Sequence, residues 1–123
     1  MGSINFLLDT NVVIYLHKGL LKNALPAGRM AISFVTEIEL RSFPGLSGDQ
    51  ETWLEKFLAT IQRIGLSHEI QERAIWFRRH YRLKIPDALI AASAFTCEAT
   101  LLTNDDPLHK VSELTCRRLE LRQ

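Results

Sequence analysis

Apolar residues along the chain fall into short dense runs that alternate with longer stretches in which they recur every three or four positions. Short runs bounded by polar residues are typical of strands, and the longer pattern is typical of helices with one buried face. The predicted strands span residues 4–9, 30–35, 61–65, 99–103 and 116–121. The predicted helices span residues 11–17, 20–25, 37–43, 49–60, 68–82 and 87–97. This alternation predicts an α/β fold in which helices flank a central, mainly parallel sheet of about four or five strands.

The length of the chain predicts one compact core. With 123 residues, of which 46% are hydrophobic, folding should bury roughly two-thirds of the surface of the unfolded chain. The segment 43–48, rich in glycine and also containing proline and serine, predicts a break between two helices. The alternation in 116–121 is typical of an edge strand. Because no linker or repeat divides the sequence, we predict a single domain over residues 1–123.

Four acidic residues lie at the ends of predicted core elements, after a strand or at the start of a helix. They are Asp9, Glu39, Asp87 and Asp105. Because the carboxyl ends of parallel strands line one edge of a sheet, acids far apart in the sequence can meet there. Clustered carboxylates repel one another, which raises their proton affinity unless a divalent cation neutralises them. Ligands that are all oxygen atoms suit Mg²⁺ or Mn²⁺.

Local capping rules offer a competing interpretation of Asp9 and Asp87. Asp9, Thr10 and Asn11 can accept backbone N–H bonds at a helix start, and Asp87 after Pro86 fits a helix first turn. We favour a functional role for Asp9 because three capping residues exceed what one helix start requires. We favour one for Asp87 because its helix is apolar nearly all round, so the charge lies beside the interior and needs a partner such as a metal ion.

Glu39 has a stronger competing interpretation. Thr36 to Glu39 matches a capping box, in which Glu39 would bond back to the N–H of Thr36. Glu37 is a rival for any metal-binding role. Residues two positions apart point about 200° apart around the helix axis, so Glu37 and Glu39 cannot both face one pocket. With Ile38 and Leu40 on either side of it, Glu39 is expected to face inward.

The fourth acid is ambiguous because Asp105 and Asp106 are adjacent. Taken alone, residues 103–107 would pass for an ordinary polar turn before a proline. We prefer Asp105 because it follows directly from the strand, whereas Pro107 should hold Asp106 in an extended conformation that leads away.

Charge gives no overall signal for nucleic-acid binding, because 15 basic and 14 acidic residues leave a net charge of +1. Any binding to phosphate must therefore come from local clustering. One basic stretch precedes Asp87: Arg73, Arg78, Arg79, His80, Arg82 and Lys84. It is either the solvated face of a helix or a guide for a phosphate backbone toward the acids.

The remaining reactive side chains indicate no further chemistry. Cys97 and Cys116 lack the spacing of metal ligands. The sequence shows neither a secretory signal nor a membrane-spanning helix. We therefore expect the protein in the reduced cytoplasm and not associated with a membrane. The histidines are scattered and receive no catalytic role: His17, His68, His80 and His109.

Four segments together resemble the PIN-domain family, and within it the small VapC-type toxins of type II toxin–antitoxin systems. The segments are FLLDTNVVI at 6–14, ISFVTEIEL at 32–40, PDALIAA at 86–92 and LLTND at 101–105. The resemblance spans nearly the whole chain and implies one PIN domain with a three-layer fold. The family places acids at Asp9, Glu39, Asp87 and Asp105, with Asn11 and Thr103 as polar companions.

The resemblance implies a metal-dependent endoribonuclease that is inhibited by a small antitoxin protein and forms a homodimer. One or two Mg²⁺ or Mn²⁺ ions, bound by Asp9, Asp87 and Asp105 and directly or through water by Glu39, would activate water for in-line attack on phosphorus. Products would then carry a 5′-phosphate and a 3′-hydroxyl. The sequence does not specify the RNA target or the antitoxin.

Two other functions remain open at this point. An aspartate-based phosphatase also begins with a strand that ends in Asp, although it typically has a second acid two positions later, where this chain has Asn11. A catalytically silent PIN-fold binding module would keep the ligands and lose substrate access. Trapping a phospho-aspartate would favour the phosphatase. Only an activity assay separates the silent binding module from an active enzyme.

Apolar residues around the 43–46 loop predict a partner-binding surface: Trp53, Leu54, Phe57 and Leu58. The resemblance implies that the tail of the antitoxin lies there. The alternative is a core-facing helical stripe, since these residues are spaced by one, three and four positions.

Overall fold

The computed structural model describes residues 3–123 and shows a parallel sheet with helices on both faces. The strands are β1 (Phe6–Leu8), β2 (Met30–Ser33), β3 (Gln62–Ile64), β4 (Thr100–Leu102) and β5 (Cys116–Arg117). The helices are α1 (Thr10–Lys18), α2 (Phe34–Arg41), α3 (Gly48–Thr60), α4 (His68–Tyr81), α5 (Ile85–Thr96) and α6 (Asp106–His109). The α/β prediction is confirmed. In the described residues 3–123, no helix has the length and apolar character needed to cross a membrane.

The order of the strands across the sheet is β3-β2-β1-β4-β5, and all neighbouring strands pair in parallel. The chain therefore builds outward from β1 through β2 to β3, then returns to the other side of β1 to add β4 and β5. The direction of winding reverses between β1 and β4. A reversal of this kind leaves a crevice at the carboxyl ends of the two strands, which is where α/β proteins usually bind ligands.

The sheet is covered on both faces, which explains why its central strands read as continuous apolar runs. Successive side chains of a strand point to opposite faces. In β1, Leu7 packs in one cluster with Phe77 of α4 and Ile90 of α5. Leu8 packs in the other cluster with Val12 of α1 and other buried residues. The three layers implied by the resemblance are therefore present.

Helix α2 begins earlier than predicted, so the proposed capping box at Thr36 is wrong. Strand β2 passes directly into α2, and the Ser33 side chain accepts the N–H of Val35 at 3.1 Å as the N-cap. Thr36 thus lies inside the helix and is fully buried. The predicted strand 30–35 is shorter for the same reason, since its last two residues belong to α2.

The second predicted helix, 20–25, is also wrong. Helix α1 ends at Lys18 and is capped by Gly19, which has a left-handed φ of 68° that glycine adopts without strain. The chain beyond it forms an isolated antiparallel bridge between Leu21 and Leu121 near the C-terminus. Helix α6 was not predicted, and the strand predicted at 116–121 is confirmed as an edge strand but spans only two residues.

Half of the apolar stripe predicted as a partner surface belongs to the core. Leu54 and Leu58 are 8% and 7% exposed and pack beneath α3. Trp53 and Phe57 are half-buried and stack on each other with ring centroids 5.2 Å apart. Only the half-buried members of this stripe remain available to a partner.

Candidate metal centre

Asp9 lies at the crevice between β1 and β4, where it follows β1 and caps α1. One carboxylate oxygen accepts the N–H of Thr10 at 2.8 Å, and the other accepts the hydroxyl of Thr103 at 2.6 Å. Burial raises the pKa of Asp9, these two hydrogen bonds oppose the rise, and the charges of Asp105 and Glu39 add to it. Asp9 is therefore both a helix cap and a buried carboxylate.

Thr103 joins Asp9 to the segment that follows β4. Its hydroxyl donates to Asp9 and accepts the backbone N–H of Asp105 at 3.0 Å. Thr103 is fully buried, so this hydroxyl is held in one place by its two partners. The hydrogen-bond chain fixes Asp105 beside Asp9 although the two residues are far apart in the sequence.

Asp87 is in the first turn of α5, after Pro86. The buried residues of this helix confirm that it is an interior helix. Burial raises the pKa of Asp87, the charges of Asp105, Asp9 and Glu39 raise it further, and the charge of Lys84 opposes the rise. Within residues 3–123, no hydrogen bond or ion pair is formed by its carboxylate. The Asp87 carboxylate is therefore without a direct partner among the described residues, although the charge of Lys84 is near enough to favour its ionised form.

Glu39 is exposed at the rim, which corrects the expectation that it faces inward. The hydroxyl of Thr10 donates to its carboxylate at 2.6 Å and lies 3.0 Å from the hydroxyl of Thr36. Glu37 is the more buried of the two, with its side chain 19% exposed, because it forms ion pairs with arginines on α2 and β3. Glu39 therefore lies on the side of Asp9, whereas Glu37 is paired with Arg41 and Arg63.

Asp105 and Asp106 also differ in their partners. Asp106 forms an ion pair with Arg118 at 2.5 Å, which lowers the pKa of Asp106. The extended conformation expected at Asp106 is wrong, because α6 begins there and Asp105 is the extended residue that precedes it. Arg118, and not the proline, holds Asp106 away from the other acids.

The structure therefore brings Asp9, Glu39, Asp87 and Asp105 close enough to influence one another's charge. In the part of the chain that the structure describes, no three His, Cys, Asp or Glu side chains are already arranged as a metal-binding group. The donors nevertheless fit Mg²⁺ or Mn²⁺, because all are carboxylate oxygens. A carboxylate has about four acceptor positions, and Asp9 uses two of them.

An open groove of about 590 Å³ lies beside the acids and is lined by both Asp87 and Asp105. Its walls also carry Arg82, Lys84 and Lys110. Among residues 3–123, none of these three cations forms an ion pair. The groove thus combines unpaired cations with the unpaired acids.

The basic stretch seen in the sequence divides in two. Arg73 lies over the rings of Trp76 and Phe95, and Arg78 donates to the carbonyl of Leu83 at 3.1 Å, so both have structural contacts. The later members, His80, Arg82 and Lys84, line the groove beside the acids.

Sequence reasoning missed three side chains of this region. Thr10 was noted only as a cap, and its contact with Glu39 depends on how α1 and α2 pack. Lys110 and Arg118 reach the site from the segments that follow β4 and β5. No local sequence pattern marks any of the three, because the contacts of each depend on how distant elements of the fold pack.

The sequence of residues 6–114 matches the model of the PIN domain. This chain belongs to the PIN domain family. No curated protein sequence matches it. A chain of a toxin–antitoxin complex from Klebsiella pneumoniae is 30% identical, with a TM-score of 0.76 over 89% of this chain and 95% of that chain.

Solved structures with lower sequence identity show the same fold. A chain of the DNA-bound VapBC from Salmonella typhimurium is 20% identical, with a TM-score of 0.81 over 94% of this chain and 98% of that chain. A chain of VapBC2 from Rickettsia felis, bound to a promoter DNA fragment, is 22% identical. Its TM-score is 0.77 over 95% of this chain and 100% of that chain.

Proposed function

We propose that this PIN domain is a Mg²⁺- or Mn²⁺-dependent endoribonuclease, the toxin of a toxin–antitoxin pair. The observation that carries the proposal is the convergence of four acids at the crevice between β1 and β4, none of which forms an ion pair within residues 3–123. The similarity to chains of toxin–antitoxin complexes supports the biological role.

Asp9, Asp87 and Asp105 would bind the cation, and Glu39 would bind it directly or through water. When bound, the cation supplies activation of water for in-line attack and stabilisation of the leaving oxygen. The two hydrogen bonds to Asp9 fix the orientation of its carboxylate, and the hydroxyl of Thr10 orients Glu39. Each of these donors leaves further lone pairs of the carboxylates free.

The purified protein should cleave a mixed RNA substrate when Mn²⁺ is present and stop when EDTA is added. Products should carry a 5′-phosphate and a 3′-hydroxyl, because no ribose 2′-hydroxyl attack is involved. Cyclic 2′,3′-phosphate ends would contradict the proposed mechanism. RNA binding without turnover would favour the silent module, and a trapped phospho-aspartate would favour the phosphatase.

The cations of the groove support RNA as the substrate, since unpaired Lys and Arg side chains beside the acids fit a phosphate backbone. We expect Lys84→Ala combined with Lys110→Ala to weaken single-stranded RNA binding by at least about fivefold and to flatten its salt dependence. Fluorescence anisotropy on an Asp87→Asn background measures binding without cleavage. Lys56→Ala is the control and should leave the affinity unchanged, because Lys56 is exposed on α3 and forms no ion pair within residues 3–123.

Glu39 and Glu37 should differ in their effect on cleavage. We expect Glu39→Gln to lower the rate at least about tenfold, or ~1.4 kcal/mol of transition-state stabilisation, because it contacts Thr10 at the acid site. Glu37→Gln should stay within about twofold, since its ion pairs with Arg41 and Arg63 lie outside the site. Initial rates with Mn²⁺ measure both, and a greater loss in the Glu37 variant would reverse the assignment.

An apolar groove of about 180 Å³ between α1, α2 and α3 supports an antitoxin site. Phe43 and Trp53 are among its walls, and Phe43 is 55% exposed. We expect Phe43→Ser to weaken antitoxin binding by at least about tenfold without unfolding the toxin, because a large apolar contact is removed. Leu66→Ser is the control, since Leu66 is 54% exposed outside this groove. Titration calorimetry measures the affinity, and equal losses in both variants would contradict the site.

The resemblance also implies a homodimer, and the proposal includes it. The mass of the purified protein in solution, measured by light scattering, should be twice that of the chain.

A further inference from the structure

The last residues of the chain contact the segment that carries Asp105. One terminal nitrogen of Arg118 donates to the carbonyl of Asn104 at 2.9 Å. The other donates to the carboxylate of Asp106 at 2.5 Å. The guanidinium is planar and its donors have a fixed spacing, so these two contacts together define where the segment lies. The residues directly before and after Asp105 are therefore both held by one side chain.

Asn104 strengthens the same connection from its own side. Its side-chain amide donates to the carbonyl of Leu119 at 2.9 Å and its side-chain oxygen accepts the N–H of Leu119 at 2.8 Å. Together with Arg118, this makes four hydrogen bonds between residues 118–119 and the neighbours of Asp105. We call Asn104, Arg118 and Leu119 the C-terminal clamp.

The clamp is itself anchored to the body of the protein. Beyond it, the N–H of Lys22 donates to the carbonyl of Glu120 at 3.0 Å, and the N–H of Arg122 donates to the carbonyl of Leu20 at 2.8 Å. Leu119 also packs against the core cluster on the α1 and α3 side of the sheet. The clamp thus connects a fixed part of the fold to an irregular segment between β4 and α6.

Such a connection matters because Asp105 is repelled where it lies. The charges of Asp105, Asp9 and Asp87 oppose one another, and in the described chain no cation forms an ion pair with Asp105. Like charges in a partly buried site move apart unless the backbone prevents it. Its N–H bond to Thr103 restrains Asp105 from one side, and the clamp restrains it from the other.

We propose that the C-terminal clamp positions Asp105 for the divalent cation, and that Arg118 also withholds Asp106 from that cation. Arg118 is then a positioning residue, since its contacts are to Asn104 and Asp106 and not to the reacting atoms. This inference rests on the proposed function because it assumes that Asp105 binds a metal ion.

The test compares Arg118→Ala with Arg117→Ala. The two arginines are adjacent and exposed, and removing either changes the net charge equally, but the Arg117 side chain makes no hydrogen bond or ion pair in the described structure. Mn²⁺ affinity is measured by electron paramagnetic resonance in the absence of RNA, and kcat and KM are measured separately. We expect Arg118→Ala to raise the Kd for Mn²⁺ at least about fivefold and to lower kcat with little change in KM. Arg117→Ala should leave the Kd and kcat unchanged.

An unchanged Kd for Mn²⁺ in a folded Arg118→Ala protein would overturn the inference, as would an equal loss in Arg117→Ala. If Arg118→Ala does not fold, Asn104→Ala removes the two bonds to Leu119 and should raise the Kd in the same direction; an unchanged value overturns the inference. A wild-type protein that binds Mn²⁺ but cleaves no RNA would refute the proposed function alone. Absence of any Mn²⁺ binding would refute both.

Discussion

Asp87→Asn is expected to abolish Mn²⁺-dependent RNA cleavage and, at neutral pH without metal, to raise the melting temperature. Activity should fall at least about a hundredfold, or ~2.7 kcal/mol, because the variant loses a proposed charged ligand of the metal ion at nearly constant volume. The fold should not suffer, since the Asp87 carboxylate forms no hydrogen bond or ion pair within residues 3–123. Asp9→Asn should lose as much activity, but Asp9 also holds Thr103 and the N–H of Thr10, so its stability gain should be smaller.

The sign of the stability change follows from the raised pKa of Asp87. Burial, with the charges of Asp105, Asp9 and Glu39, raises this pKa above its ordinary value of 3.8. The protonated carboxyl is therefore favoured in the folded protein, and its stabilising contribution is complete below 3.8. That contribution is lost as the pH rises through the pKa of the folded state. At a pH above the folded-state pKa, ionisation of this partly buried carboxyl group opposes folding.

The amide cannot ionise, so Asp87→Asn should melt at least about 2 °C above the wild type at pH 7. The difference should shrink as the pH is lowered toward 3.8. Adding Mn²⁺ should raise the melting temperature of the wild type more than that of the variant, because only the wild type keeps all four proposed ligands. Differential scanning fluorimetry across pH 4 to 7.5, with and without Mn²⁺, measures all three effects.

Asp49→Asn is the matched control for the Asp87 variant. Asp49 is also in the first turn of a helix, but it is exposed and lies on α3. Both substitutions remove a favourable interaction of a charge with the helix dipole, so Asp49→Asn should leave the melting temperature unchanged or slightly lower. A stability gain common to both variants, or wild-type cleavage by folded Asp87→Asn, would contradict the assignment of Asp87.

The sequence predicted the sheet well because its signal is local. A strand buried on both faces has to be an apolar run, and the runs that became β1, β2 and β4 are of this kind. Asp9 was found because it directly follows such a run, and Asp105 because it comes shortly after another. Asp87 was found because it lies in the first turn of a buried helix. Strand order then brings them together, and the sequence indicates that order only through the class of fold.

The incorrect predictions arose where one local pattern allowed two outcomes. Ser33 and Thr36 are both good N-caps, and the burial of Thr36 against Thr10 decides which one is used. The segment 20–25 has a weak helical pattern, but it bridges to the C-terminal end of the chain instead. The pairing of Glu37 with Arg63 likewise joins residues brought together only by the sheet. None of these contacts can be predicted from residues that are adjacent in the sequence.

Asp105→Asn and Asp106→Asn should separate the two adjacent acids. The backbone N–H of Asp105 is held by the hydroxyl that also binds Asp9, which places its carboxylate with the other acids. Asp106 is exposed, and its charge is paired with Arg118. We expect Asp105→Asn to lower cleavage at least about a hundredfold, as for Asp9 and Asp87, the other proposed ligands.

Asp106→Asn should keep cleavage within about threefold of the wild type, because the amide oxygen still accepts from Arg118 and an exposed ion pair adds little. Initial rates on one RNA substrate with saturating Mn²⁺ give the comparison, and the Mn²⁺ Kd of each variant shows whether the loss lies in metal binding. The Kd should rise for Asp105→Asn and stay constant for Asp106→Asn. If Asp106→Asn proves the more damaging change, Arg118 must release Asp106 when the metal binds, and Asp106 then takes the fourth position.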